Sequence, residues 1–184
     1  MALIIGSTAY SQWQQLRPLL IQAGLTLADV TSVEDWYRLA LATEAKSDPE
    51  TASKPISPSK ALQKSAHELL AAEKGQVLLG ADNPDNVWLL NFWAQEFTDT
   101  RFILFYSRPE TAIVKAMLQG VDPVAALKHW ELTAQQLLSF YRRNRRRAAL
   151  LDIDFVQTEP AHLIKTCSTR FGLVTEIGEV SGIQ

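Results

Sequence analysis

Short apolar runs and longer stretches of helical periodicity take turns along this chain. Ala2 to Ile5 is the first apolar run, and it feeds directly into Gly6-Ser7-Thr8-Ala9-Tyr10-Ser11. Behind that loop Trp13, Leu16, Leu20 and Ala23 recur at helical spacing, with Gly24 placed to stop the helix. Pro18 inside it marks either a kink or an early first turn. A second helix is predicted from Thr31 or Ser32, where Glu34 and Asp35 complete a capping-box pattern before Trp36, Leu39 and Ala40, and it ends around Thr43. Glu44 to Ser59 is polar and carries Pro49, Pro55 and Pro58, which reads as a surface loop serving as a lid or as a plain connector. A helix then runs through Leu62, Ala66, Leu69 and Leu70 and stops near Gly75.

From there strands and helices alternate. The pattern predicts strand Gln76 to Leu79, helix Val87 to Phe97, strand Arg101 to Tyr106 and helix Thr111 to Gln119. Helix Pro123 to Arg146, strand Ala148 to Ile153 and helix Pro160 to Phe171 complete it. Strands separated by helices build a parallel sheet flanked by helices, an α/β architecture with both sheet faces covered. Ligands in such folds sit beyond the carboxyl ends of the strands, here Gly6 to Ser11, Gly80 to Asn86, Tyr106 to Glu110 and Asp152 to Glu159.

With 184 residues, the chain has enough length for one sizeable core, and a single domain over 1–184 is the expectation. A formal net charge of −2 gives no general affinity for nucleic acid, so any basic behaviour is local. One cysteine, Cys167, and three scattered histidines offer neither an internal disulfide nor a zinc-spaced ligand set, which points to a metal-free cytoplasmic protein. The first residues show no signal peptide, and no apolar stretch approaches the length of a membrane span.

The first loop has the frame of a phosphate cradle: a strand, a turn, then a helix whose N–H groups and dipole face one spot. The residues of G-x-x-x-x-G-K-[ST] are absent, and Tyr10, Ser11 and Gln12 occupy the corner. The missing lysine and neighbouring magnesium-binding hydroxyl argue against a nucleotide kinase.

The order of elements from Ala2 to Leu173 resembles the sulfotransferases, especially bacterial ones acting on carbohydrates or small molecules. Gly80-Ala81-Asp82-Asn83-Pro84 with Leu89-Leu90-Asn91-Phe92-Trp93 is similar to the family's K-D-P segment and the helix after it. Arg101 to Pro109 is similar to the strand that ends in R-[DHN]-P, Ala126-Leu127-Lys128-His129-Trp130 to the A-L-x-x-W helix, and Asp154-Phe155 to Phe171-Gly172-Leu173 to the final segments. The resemblance implies a three-layer sandwich of the P-loop-containing nucleotide hydrolase-like, sulfotransferase-like kind. It implies 3′-phosphoadenosine 5′-phosphosulfate as donor, adenosine 3′,5′-bisphosphate as product, and a carbohydrate or small-molecule acceptor. Carried over residue by residue, the donor motifs are substituted. The family arginine falls on Ser107 with Arg108 one place later, the family serine falls on Lys115, and the basic Ser-Gly-Thr run corresponds to Ala9, Tyr10, Ser11 and Gln12. This pattern implies either a weak or altered sulfuryl transferase or a non-catalytic relative with an eroded donor site.

Gly6, Ser7, Thr8, Ser11, Arg108 and Lys115 are the candidate donor-binding residues, and no catalytic residue stands out. Each has an ordinary alternative: the hydroxyls cap a helix, Arg108 makes a structural ion pair, and Lys115 lies on a solvated helix face. Glu34 and Asp35 face the cleft or complement a helix N-terminus. His67, His129 and His162 read as surface or packing histidines. Of the five tryptophans, Trp13 alone sits near the mouth of the first loop. Arg142-Arg143-Asn144-Arg145-Arg146-Arg147 places five arginines in six residues, which serve solubility and the helix dipole or receive an acidic protein partner. Without an aromatic platform or second basic stripe, the cluster argues against nucleic acid.

Overall fold

The structure, a computed structural model, describes residues 1–44, 55–72 and 77–173. The polar stretch at 45–54, the helix stop at Gly75 and the strand start at Gln76 lie outside them. Five strands, β1 (Ala2–Ser7), β2 (Thr26–Leu27), β3 (Val77–Leu79), β4 (Arg101–Tyr106) and β5 (Ala148–Asp152), form one sheet in the order β2-β3-β1-β4-β5. Every strand pair is parallel. Eight α-helices accompany them among the described residues: α1 (Arg17–Gln22), α2 (Val30–Glu44), α3 (Lys60–Ala72), α4 (Leu90–Glu96), α5 (Pro109–Leu118), α6 (Pro123–Arg143), α7 (Ile153–Thr158) and α8 (Pro160–Phe171).

The period of two in each strand sends alternate side chains to two separate cores. Ile4, Leu79, Phe102 and Leu104 point into one, built with Trp36 and Tyr37 of α2, Trp93 of α4 and Phe140 of α6. Leu3, Ile5, Leu78, Ile103 and Phe105 point into the other, built with Leu20 of α1, Val156 of α7 and Leu163 of α8. Strands apolar on both faces therefore sit between two helical layers, as a parallel sheet requires.

Several boundaries differ from the sequence expectation, each for a local reason. β1 continues through Ser7 because Gly6 and Ser7 keep pairing with Leu104 and Phe105. The helix behind the first loop is a 3-10 turn, Trp13–Leu16, followed by the six-residue α1. Pro18 lies in the first turn of α1, where its missing N–H costs no bond. α2 begins at Val30 because Asp29 supplies the cap: its carboxylate accepts from the Ser32 N–H and hydroxyl, the hydroxyl first among the causes that hold its pKa below the ordinary 3.8. The helix expected at Val87–Phe97 starts as a 3-10 turn, Pro84–Leu89, capped by Asn83. α5 starts at Pro109, not Thr111, and α6 ends at Arg143, where the Asn144 N–H closes onto the Phe140 and Tyr141 carbonyls. β2 was not expected, and α7 stands where Asp152 to Glu159 reads as a loop, because the Asp152 side chain caps the Asp154 and Phe155 N–H groups.

Candidate functional site

All the carboxyl-end loops meet at one edge of the sheet, and the first of them is held from three directions. The Thr8 N–H donates to the Phe105 carbonyl at 3.0 Å. The Ala9 N–H donates to the Thr133 hydroxyl of α6 at 2.9 Å, and the Ser11 N–H returns to the Thr8 carbonyl at 3.3 Å. The Thr8 hydroxyl accepts from the Ser107 N–H at 3.1 Å and lies 3.4 Å from its hydroxyl. Three amides and one hydroxyl of the loop are thus engaged inside the protein.

The loop's corner also departs from glycine geometry. Tyr10 and Gln12 sit at φ 61° and 59°, the left-handed region that costs a side-chain-bearing residue on the order of 1 kcal/mol or more. Neighbours hold this shape: Tyr10 meets the His129 ring edge-on at 5.7 Å, and the Lys115 ammonium donates to the Ser11 carbonyl at 3.4 Å. Trp13 packs beneath the loop, 1% exposed, and its indole N–H donates to the Ala81 carbonyl at 3.2 Å. Gly80 is required there, since a Cβ would come within 2.7 Å of the Trp13 ring. A Cβ on Gly6, by contrast, would meet the flexible end of Leu90 at 2.9 Å.

The Gly80 to Asn86 loop is tied into the same edge. Asp82 pairs with Arg17 at 2.5 Å, and its N–H donates to the Glu34 carboxylate at 2.7 Å. Partial burial raises the Glu34 pKa above 4.5, against the pull of that N–H. Asp35 instead pairs with Arg38 in solvent. His129 lies 2.9 Å from the Asp85 carboxylate, bracing α6, the first loop and the Asp85 turn together. The spacing of 44 residues hides this pair from any local motif. His67 pairs with Glu96, and His162 stands against Phe155. Trp130 is half-buried, its N–H on the Ser107 carbonyl.

Ser7, Thr8, Tyr10, Ser11, Gln12 and Asp82 are among the residues around a cleft of about 160 Å³ at this edge. Gly6 lies behind it in β1. Lys115 reaches the loop from α5, whereas Arg108 extends the other way, 72% exposed and 3.8 Å from Asp152 at the end of β5. Ser11 and Arg108 therefore share an edge but face different neighbours. Ser107, where the family arginine falls, is fully buried. Burial pushes the Cys167 thiol up to about 12, far from this edge in the α8 core. Among the described residues no group of three histidine, cysteine or carboxylate side chains could hold a metal ion, and no helix is long and apolar enough to cross a membrane.

Thr133 is the point where α6 holds the first loop. Thr133→Val keeps the shape but strands the Ala9 N–H, so a loss of about 1–3 kcal/mol is expected in denaturant unfolding. Faster hydrogen exchange at Ala9 should accompany it.

No protein-family model matches the sequence, and no curated protein does either. Solved structures do. A sulfotransferase domain from the curacin biosynthetic pathway has a TM-score of 0.61, covering 96% of this chain and 75% of that one at 13% identity. A sulfotransferase from Alicyclobacillus acidocaldarius has a TM-score of 0.59, covering 95% of this chain and 81% of its own at 10% identity. This chain has a sulfotransferase-like α/β fold, a parallel five-stranded sheet flanked by helices.

Proposed function

We propose that this chain is a non-catalytic sulfotransferase-like domain, one that acts by binding and has given up sulfuryl transfer. The observation that carries the reading is the first loop, whose Thr8, Ala9 and Ser11 amides are spent on Phe105, Thr133 and Thr8. Sulfuryl transfer builds negative charge on the leaving phosphate, and a catalyst aims N–H donors and cations at it. Here the Thr8, Ala9 and Ser11 N–H groups face inward, and the nearby cations have other oxygens to serve: Lys115 the Ser11 carbonyl, Arg17 the Asp82 carboxylate, Arg108 the Asp152 carboxylate. Losing a single such donor commonly costs on the order of 100-fold in rate, so several together remove useful catalysis. The cleft of about 160 Å³ is also small beside the roughly 300–1,000 Å³ of sites for drug-sized ligands.

Calorimetric titration with adenosine 3′,5′-bisphosphate tests this. The expected result is no heat of binding even at millimolar nucleotide. Micromolar binding weakened by Arg108→Ala would overturn the reading in favour of an active or altered transferase that uses 3′-phosphoadenosine 5′-phosphosulfate.

A second binding mode has its own support at the opposite edge of the sheet. Arg142, Arg143, Arg145 and Arg146 are exposed and have no carboxylate partner among the described residues, in a chain of formal net charge −2. Charge concentrated this way suits an acidic protein partner.

A further inference from the structure

The cleft over the first loop is polar yet carries little to attract an anion. Around it stand the hydroxyls of Ser7, Ser11 and Tyr10, the amides of Gln12 and Gln119, and the Asp82 carboxylate. Arginine and lysine are absent from its wall, and the one charged group there is negative. Ser7 and Ser11 are each only 2% exposed, and their hydroxyls have no hydrogen-bond partner among the described residues. Both residues line the cleft, so water or a ligand there supplies the hydrogen bonds that the protein does not. A set of hydroxyls, amides and one carboxylate, able both to donate and to accept, matches the hydroxyls of a neutral polyol.

We propose that this cleft binds a small uncharged polyol, a single sugar ring or a molecule of that kind, where a transferase would hold its donor. The proposal rests on the reading that the first loop takes no nucleotide. Ser7 and Ser11 donate to or accept from ring hydroxyls at the cleft floor. Asp82, held in place by Arg17 and by its own N–H on Glu34, accepts from a further hydroxyl at the rim. Gln119, which caps the carboxyl end of α5, lines the same cleft from an exposed position. The volume of about 160 Å³ holds several waters, which a ligand of this size would displace together.

The test is saturation-transfer NMR and calorimetry with D-glucose, D-galactose, N-acetyl-D-glucosamine and glycerol as probes. At least one pyranose should bind with a dissociation constant in the millimolar range, unchanged between low and high salt because the ligand is neutral. Ser11→Ala should weaken it about tenfold, the usual worth of one buried hydrogen bond. Gln119→Ala, at an exposed position that leaves the fold intact, should weaken it severalfold. Silence from all probes at about 100 mM overturns the proposal, since a few hydrogen bonds support millimolar affinity. Pyranose binding undiminished in both variants overturns it as well. Neither outcome touches the reading of the first loop, which fails only if adenosine 3′,5′-bisphosphate binds.

Discussion

Trp93→Ala should lower the unfolding free energy by about 3–5 kcal/mol, the usual range for removing a large aromatic from a core. Trp93 is 1% exposed and central to the aromatic cluster on one face of the sheet. Its ring centroid lies 4.8 Å from Trp36, 5.3 Å from Phe92, 5.4 Å from Phe97 and 6.1 Å from Tyr37. Burial pushes the Tyr37 phenol well above its ordinary value. The lost ring contacts add to the area term, and the bulky rings around Trp93 cannot close the gap without giving up their own packing. Against a total of about 5–15 kcal/mol typical of such domains, the variant is marginal at 37 °C. A urea titration reads the effect as a lower midpoint at unchanged slope. A shift worth less than about 1 kcal/mol would mean that this cluster does not anchor α2 and α4 to the sheet.

The same cluster shows what the sequence made legible. Trp36 and Ala40 in one segment, and Leu89, Leu90, Phe92 and Trp93 in another, fall at helical spacing, and Phe102 to Phe105 form an unbroken apolar run, so the layers and the parallel sheet follow from periodicity. The likeness to sulfotransferase structures at 13% and 10% identity agrees with that reading of the fold. β2 escaped because two residues, Thr26 and Leu27, carry no period; pairing with Val77 and Leu78 makes them a strand. α7 escaped because Ile153-Asp154-Phe155-Val156-Gln157-Thr158 is short and mostly β-branched or aromatic, so its composition does not favour a helix and only the capping geometry of Asp152 reveals one.

The loops of the candidate site could be located from the sequence, but their hydrogen bonding could not. Strand ends pointed to this edge, and Ser7, Thr8 and Ser11 line a cleft there. What no spacing conveys is the direction of a backbone N–H. That Ala9 donates to Thr133, 124 residues away, depends on how α6 crosses the first loop. Trp13 was singled out for its position near the mouth, yet it serves as the floor, wedged against Gly80.

The five arginines of the α6 end do two different jobs, and single substitutions should separate them. Arg147 is structural: its guanidinium donates to the Ala94 and Thr98 carbonyls at 3.0 Å each and to the Asn144 side chain at 3.3 Å, and it lies 5.8 Å over the Phe102 ring. Ala94 and Thr98 sit at the carboxyl end of α4, where carbonyls lack helical partners and the dipole is negative, so one planar cation satisfies what α4 leaves open. Arg147→Ala should cost about 2–3 kcal/mol, the worth of charge-assisted bonds to partly buried carbonyls. Arg147→Lys should recover only part of that, because a lysine cannot reach two carbonyls in a fork. Arg146→Ala, one residue away, should change stability by no more than about 0.5 kcal/mol. Replacing Arg142, Arg143, Arg145 and Arg146 together by serine should leave the midpoint unchanged or slightly raised, since like charges are relieved. That same variant should lose salt-sensitive binding to poly-L-glutamate that the parent protein shows. Equal destabilisation by Arg147→Ala and Arg146→Ala would erase the distinction, and poly-L-glutamate binding that survives the fourfold change would remove the acidic-partner reading.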